Sequence, residues 1–370
     1  AERFALKQSQ AFVDQMEGFA LELEDELMNF SDVSYKSFVK SESEIITLFY
    51  DKFADIPLLS RMDAVAETFI DEIETLLNRD LPEEERIPLI EKFQKMYETM
   101  DFYVLYNRFL KKEGYQTLPR RPLEKRKLRY EDVYPVLYLK YRLSRQAERS
   151  NIKHLVIDEM QDYSRLQYLI IRRMFSCKMT ILGDRAQTMA DQQQDVLQFL
   201  PGIFGKDLRR IEMRKSYRNT VEIASYAANL IGVTDLELFE RHGMPVLERN
   251  VTDLEAALRE AVDTLFPDEK TYETAAVIVP DEKTAERAYL ILREILAEKD
   301  FDCEKRLSWL NRDSSSFKKG LTVTTFYLAK GLEFDQVFSI FPKDEKREMM
   351  MQAQYIAATR ALHELRVYHI

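Results

Sequence analysis

Two short apolar runs, each ending abruptly on polar residues, constrain this chain more than any other feature. Leu155-Val156-Ile157 stops at the adjacent acids Asp158 and Glu159, and Thr180-Ile181-Leu182 stops at Gly183-Asp184, with Gln187 just beyond. Runs this short and this rich in β-branched residues read as buried parallel strands, not helices. Open α/β sheets take their ligands beyond the carboxyl ends of such strands. A carboxylate there suits Mg²⁺, and a second acid can orient a water for phosphoryl transfer. For Asp158-Glu159 alone, an acidic N-cap of the next helix is the competing explanation. Two neighbouring strands that both deliver polar groups at the same end weaken that alternative.

The texture of the chain changes near residue 150. Before it, apolar residues recur at helical spacing: Phe12, Val13, Met16, Phe19, Leu23 and Leu27, then a helix from Ser41-Glu-Ser-Glu44 to Phe53. Pro57 opens another helix to about Leu77, and a third runs from about Pro88 to Lys112, ending at Gly114. The aromatic residues of that third helix read as packed core. After residue 150, strands and helices alternate: 152–157, helix 163–174, 178–182, helix 193–200, 208–212 and helix 220–231. The alternation resumes with 275–279, helix 283–298, 321–325, 336–340, helix 347–362 and 365–368. This pattern predicts an α/β fold of parallel sheets covered by helices, behind a mostly helical N-terminal region. The expected divisions are 1–150, 151–212 and 213–370.

Composition narrows the class. A net charge of −10 argues against a chain wrapped along nucleic acid, which usually carries a basic surplus. Contact with DNA is therefore expected to be weak or local, and a protein partner with basic surfaces is as plausible. The densest basic run, Arg120 to Arg129, reads either as a solvated loop or as a contact to RNA, DNA or phosphate. The two cysteines, Cys177 and Cys303, match no metal spacing and suit a reduced, cytoplasmic chain. No apolar run is long enough to span a membrane, so no membrane contact is expected.

Four clusters in the second half carry chemistry. Asp158-Glu159-x-Gln161-Asp162 and Gly183-Asp184-x-x-Gln187 are the first two. Lys215-Ser-Tyr217-Arg218-Asn-Thr220 is the third. There Arg218 could stabilise a transferring phosphoryl group or salt-bridge within its own lobe, and Tyr217 could stack on a base. The fourth is split between Lys330-Gly331-Leu-Glu333-Phe-Asp335 and Ala358-Thr359-Arg360-Ala361, the latter expected on the last helix. Gly331 permits close backbone approach to a ligand, and Glu333 can accept a hydrogen bond from a ribose hydroxyl.

The order of these clusters resembles the superfamily 1 helicase-like ATPases of the UvrD/Rep type, over roughly residues 152–370. The resemblance implies RecA-like P-loop NTPase lobes that use ATP and Mg²⁺. It makes Asp158 the Mg²⁺ ligand and Glu159 the residue that activates water. Gln187 becomes a γ-phosphate sensor, Tyr217 an adenine stacker, and Arg218 and Arg360 arginine fingers. Glu333 becomes the ribose ligand, with Gly331 beside the nucleotide. Asp-Glu-x-Gln-Asp-Tyr-Ser, Tyr-Leu-Ala-Lys-Gly-Leu-Glu-Phe-Asp and Thr-Arg-Ala-Leu-His-Glu-Leu are similar to the HelD-type factors. Those are helicase-like ATPases that bind and recycle RNA polymerase, and in them residues 1–150 would hold a helical insertion leading into the first lobe. Gln187 is not followed by the aromatic-rich segment of DNA-unwinding members, and Tyr327 stands where a His is usual.

No Gly-x-x-x-x-Gly-Lys-[Ser/Thr] occurs, so the phosphate-cradling loop such an ATPase needs is expected upstream of Ala1 in a longer parent chain. The expected function is an ATPase that remodels or releases RNA polymerase or nucleic-acid complexes, inactive as this chain alone. The alternatives are a 3′–5′ DNA helicase of the UvrD/Rep type and a non-catalytic interaction module.

Overall fold

The structure is a computed structural model that describes residues 2–145, 151–184, 195–213, 215–233, 237–266, 272–299, 301–314, 319–343 and 348–370. The chain divides into two compact units, Ala1–Gly183 with Gln193–Leu208, and Asp184–Gln192 with Arg209–Ile370.

The first unit is mostly helical. It comprises α1 (Glu2–Gln8), α2 (Gln10–Glu26), the antiparallel hairpin β1 (Val33–Tyr35) and β2 (Phe38–Lys40), and α3 (Glu42–Thr47). Then come α4 (Arg61–Leu77), α5 (Glu83–Gln94), α6 (Phe102–Lys112) and α7 (Tyr130–Leu143). Helix α2 starts where the Ser9 hydroxyl accepts a hydrogen bond from Phe12 N, and it buries Phe12, Val13, Met16, Phe19, Ala20 and Leu23. That spacing lays one apolar stripe onto the core, where Phe12 and Phe19 meet Phe109 of α6. The Ser41–Glu44 capping box forms as expected.

The single helix expected over 88–112 is instead two helices. The backbone of 96–98 pairs with the segment after α2, through Asn29 N to Met96 O at 2.8 Å and Glu98 N to Leu27 O at 2.9 Å. Those bonds replace a helical turn, and Asp101 then caps α6 by accepting from Tyr103 N. The β1–β2 hairpin escaped the sequence pattern because its turn uses Lys36 at φ 53° instead of an Asn-Gly or Asp-Gly pair.

The same unit ends with β3 (His154–Ile157), α8 (Arg165–Met174), β4 (Lys178–Ile181) and α9 (Val196–Phe204). Strands β3 and β4 pair in parallel, from His154 opposite Lys178 to Ile157 opposite Ile181. Ile157, Tyr168, Val196, Phe199 and Leu200 form the core on one side of this pair. The expectation of a fully buried strand is corrected: Val156 is 60% exposed. Alternate side chains of a strand face opposite ways, and among the described residues only the Ile157 side of this sheet is covered.

The second unit contains β5 (Lys215–Ser216), α10 (Val221–Ile231), β6 (Glu237–Leu238), β7 (Leu247–Asn250), α11 (Leu254–Asp263) and β8 (Thr274–Val279). It continues with α12 (Glu282–Ala297), α13 (Cys303–Arg306), β9 (Leu307–Trp309), β10 (Gly320–Thr325), β11 (Phe334–Phe341), α14 (Glu348–Ala358) and β12 (Ala361–His369). A six-stranded, all-parallel sheet in the order β7-β12-β11-β8-β10-β9 is its centre. Ala275, Val277 and Val279 of β8 pack with Leu254, Leu258 and Leu292 of α11 and α12. Ala276 and Ile278 pack with Ile223 and Ile356 of α10 and α14 on the other face. Both faces are apolar because both are covered, as in α/β proteins generally. The mixed α/β fold read from the sequence is present.

Two expected elements differ in this unit. Residues 208–213 form no strand; Ile211 and Met213 are 73% and 86% exposed. This stretch carries the boundary between the units at Leu208 and Arg209, and the parallel pairing falls instead to Lys215–Ser216 with Glu237–Leu238. The last helix stops at Ala358, not 362, because Ala361 already pairs with Phe334 in the sheet.

Candidate functional site

In the first unit, Asp158 and Glu159 follow the carboxyl end of β3. Asp158 is exposed and its Oδ1 accepts from Glu159 N at 2.8 Å. Glu159 holds left-handed backbone, φ 52° and ψ 51°, which costs a non-glycine residue about 1 kcal/mol or more and persists only where the surroundings enforce it. Two features enforce it. Met160 N donates to Leu182 O at 2.8 Å, and Leu182 N to Ile157 O at 2.8 Å, so the β3–β4 ladder continues into the acidic turn. Gly183 also presses on that turn: a Cβ built there would lie 2.6 Å from Met160 N and 2.5 Å from Gln161 Oε1. Gln161 is buried and its Nε2 donates to Glu159 Oε2 at 2.5 Å, orienting the carboxylate. The acids do not cap α8, as the competing explanation had it; Ser164 does, in a capping box with Gln167.

In the second unit, the remaining residues collect at the N-terminal edge of the parallel sheet. Glu333 directly precedes β11 and Arg360 directly precedes β12. Arg218 Nε lies 2.7 Å from Glu333 Oε1, with both side chains roughly half-exposed. Asn219 is buried and its Nδ2 donates to Thr359 O at 3.2 Å and Ala361 O at 2.6 Å, which fixes the turn before α10 against the start of β12. Thr220 then caps α10.

Arg360 was expected on the last helix but lies in the turn after it. It is 1% exposed, and its guanidinium donates to Ile356 O at 3.2 Å, Leu332 O at 3.4 Å and Thr359 Oγ1 at 3.1 Å. Gly331 adopts φ 82° in the loop leading to β11, with open space where a side chain would stand. Tyr217 is 62% exposed; its ring lies 5.5 Å from that of Phe239, and Lys215 Nζ stands 5.4 Å from the Tyr217 ring. Asp184, which belongs to this unit, accepts from Tyr355 OH at 3.0 Å, and burial raises the pKa of that phenol. Gln187 lies outside the described residues.

The geometry therefore joins Arg218, Glu333 and Arg360 within one unit and Asp158 with Glu159 in the other. Mg²⁺ bound with a nucleotide keeps several waters and takes one or two carboxylates plus phosphate oxygens. An exposed Asp158 beside an oriented Glu159 fits that donor set. Among the described residues, no group of three or more His, Cys, Asp and Glu could hold a metal ion, and a phosphate-assisted site needs none. Sequence reasoning gave no role to Asn219, Gln161 or Phe239. Asn219 and Gln161 stood within motifs already singled out, whereas Phe239 carried no local signal.

Residues 6–189, which include Asp158, Glu159 and Gln187, match the model of the UvrD/REP helicase N-terminal domain. The match supports a helicase-like superfamily 1 domain in this chain. No curated protein matches. Among solved structures, the C-terminal domain of a possible DNA helicase from Lactobacillus plantarum WCFS1 is 24% identical over 42% of this chain and 88% of that one, with a TM-score of 0.33. The PRRSV helicase is 14% identical over 72% of this chain and 45% of that one, TM-score 0.34. An arterivirus nonstructural protein 10 (helicase), solved with DNA, is 13% identical over 72% and 51%, TM-score 0.33. The chain spans about half the length of these two viral helicases. Among the described residues, no helix is long and apolar enough to cross a membrane.

Proposed function

We propose that this chain is part of an ATP-hydrolysing, helicase-like remodelling protein whose work is done on RNA polymerase or its nucleic-acid complexes. Asp158 takes the Mg²⁺ that accompanies ATP, and Glu159 draws the proton from the attacking water. Gln187 senses the γ-phosphate, Arg218 and Arg360 offset phosphoryl charge, and Tyr217 stacks on adenine, with Gly331 beside the nucleotide. Glu333 accepts from the ribose once Arg218 leaves it for phosphate. The observation that most supports this is the left-handed Glu159, held at a strand's carboxyl end by the Leu182–Met160 bond and by Gly183. Strain of that kind is a mark of functional turns.

The acidic net charge and the absence of aromatic residues from Thr188 to Gln194, directly after Gln187, favour a polymerase partner, and the two unpatterned cysteines favour a cytoplasmic setting. The UvrD/REP match favours a second reading, ATP-driven DNA unwinding. Retention on core RNA polymerase and affinity for single-stranded DNA across a salt series separate the two. Retention with only weak DNA binding supports polymerase remodelling, whereas tight DNA binding without retention supports unwinding. The chain alone, without a phosphate-binding loop, is expected to hydrolyse ATP negligibly.

A further inference from the structure

The segment 120–130 carries six basic residues (Arg120, Arg121, Lys125, Arg126, Lys127 and Arg129) against one acid, Glu124, in a chain of net charge −10. A basic loop of this sort is ordinarily just solvated, yet this one is anchored. Leu118 is buried and its N–H donates to Asn107 Oδ1 at 2.7 Å, while Tyr103 OH donates to Pro119 O at 2.7 Å. Arg126 pairs with Asp101, lies 4.8 Å from the Tyr103 ring centre, and donates from Nε to Arg121 O at 3.0 Å. One cation thus works as a structural pin.

Arg120, Arg121, Lys125 and Lys127 are exposed and, among the described residues, form no ion pair. Tyr130 closes the strip. Its ring stacks on Phe4 at 5.5 Å and 19°, is braced edge-on by Tyr134 at 6.2 Å, and remains 68% exposed. Leu123, 73% exposed, adds an apolar surface among the charges.

Four unpaired cations for phosphates and a braced, open aromatic face for a base are the two components of sequence-tolerant single-strand binding. We infer that residues 120–130 form a binding strip for single-stranded nucleic acid on the first unit. The strip rests on the proposed nucleic-acid-remodelling role but needs no nucleotide. Its cations contact the sugar-phosphate chain, and Tyr130 stacks on one base. Phosphate pairing and base stacking are contacts that DNA and RNA share, so both are expected to bind.

The test is fluorescence anisotropy of labelled dT15 and rU15 with this chain at several salt concentrations, without ATP. The variants are a quadruple Arg120→Ser, Arg121→Ser, Lys125→Ser, Lys127→Ser and a single Tyr130→Ser. Each phosphate contact to a single strand contributes about 0.7 to the slope of log affinity against log salt, so the quadruple variant should lose roughly 2.8 of slope. Tyr130→Ser should bind about fivefold or more weakly, the lower end of a lost stack. A double variant keeping charge, Lys125→Arg with Lys127→Arg, should bind as the wild type does. Unfolding midpoints check that every variant folds; the targeted cations are exposed and unpaired, so no loss is expected.

An unchanged slope in the quadruple variant overturns the strip. So does polymerase retention that needs these four side chains while the wild type binds neither oligonucleotide. A clear preference for rU15 or dT15 overturns the backbone-only reading. Loss of ATP hydrolysis in Glu159→Gln of the full-length gene product, with an unchanged salt slope in the quadruple variant, sinks only the strip. A lowered slope in the quadruple variant, with hydrolysis intact in Glu159→Gln of the full-length gene product, sinks only the ATPase reading.

Discussion

Replacing Gly183 by alanine tests whether the acidic turn is held by close packing. The new Cβ would lie 2.6 Å from Met160 N, 2.5 Å from Gln161 Oε1 and against Met160 Cγ. Ordinary contact begins near 3.4 Å, so Met160 N must retreat by 3.4 − 2.6 = 0.8 Å. That atom is tied to Leu182 O at 2.8 Å and is bonded directly to the Glu159 carbonyl carbon, so its shift carries Glu159 with it. Overpacking of this kind costs about 1–3 kcal/mol, offset by about 0.4–1 kcal/mol from the stiffer unfolded chain. The net expectation is a first unit weaker by roughly 1–2 kcal/mol, or about 0.5–1 M in urea midpoint at an m-value near 2 kcal/mol/M.

The two units offer separate probes. The single tryptophan, Trp309, lies in β9 of the second unit, whereas far-UV dichroism also reads the helices of the first. Gly183→Ala should lower the dichroism midpoint and leave the Trp309 transition in place. In the full-length gene product, a displacement near 1 Å at a catalytic group should cut ATP turnover by about 100-fold. An unchanged or raised dichroism midpoint would refute the packing argument, because the close contact would then impose no cost.

Gly320→Ala should destabilise the second unit by about 3 kcal/mol or more and shift the Trp309 transition, since φ is 117° and a Cβ there meets the Arg306 carbonyl. Asp335→Ala should cost roughly 2 kcal/mol in the same assay; its Oδ2 accepts from Glu273 N at 2.8 Å, Thr274 N at 2.9 Å and Thr274 Oγ1 at 2.9 Å. Glu222 is held down to about 2 by the His242 hydrogen bond and the Gly243 N–H. A folded-state pKa below the unfolded one stabilises above about 4.5, and that contribution fades as pH falls toward 2. Glu222→Gln should therefore flatten the acid side of the Trp309 midpoint-versus-pH curve, and an unaltered curve would count against the pairing. Glu333→Gln frees Arg218 from its 2.7 Å partner. In the full-length product it should weaken binding of ATP more than that of ribose-free triphosphate, as a titration of both ligands would reveal.

The sequence made the α/β alternation legible because strands covered on both faces read as unbroken apolar runs, as in Ala275–Val279. Position of the acid pair was legible for a related reason: Ile157 to Asp158 is a sharp change of polarity, and it coincides with the end of β3. Burial of that strand was not, since β-branched residues report strand propensity and not whether a second layer covers Val156. The break between α5 and α6 was hidden because the bonds that end the helix come from Leu27 and Asn29, far away in sequence. Arg360 was misplaced for a similar reason: the helical pattern runs past Ala358, and only pairing of Ala361 with Phe334 stops it. The Arg218–Glu333 contact joins two clusters whose separate patterns gave no sign of pairing. Residues of the second unit also gather at the N-terminal edge of their sheet, where a rule built on carboxyl ends does not look.

The central claim is that Asp158 and Glu159 serve ATP hydrolysis. Single-turnover hydrolysis of Mg-ATP by the full-length gene product, wild type against Glu159→Gln, tests it most directly. The account predicts that the variant still binds Mg-ATP while hydrolysis slows by about 100-fold or more, as when a positioned general base is removed. Hydrolysis at the wild-type rate in Glu159→Gln would contradict it.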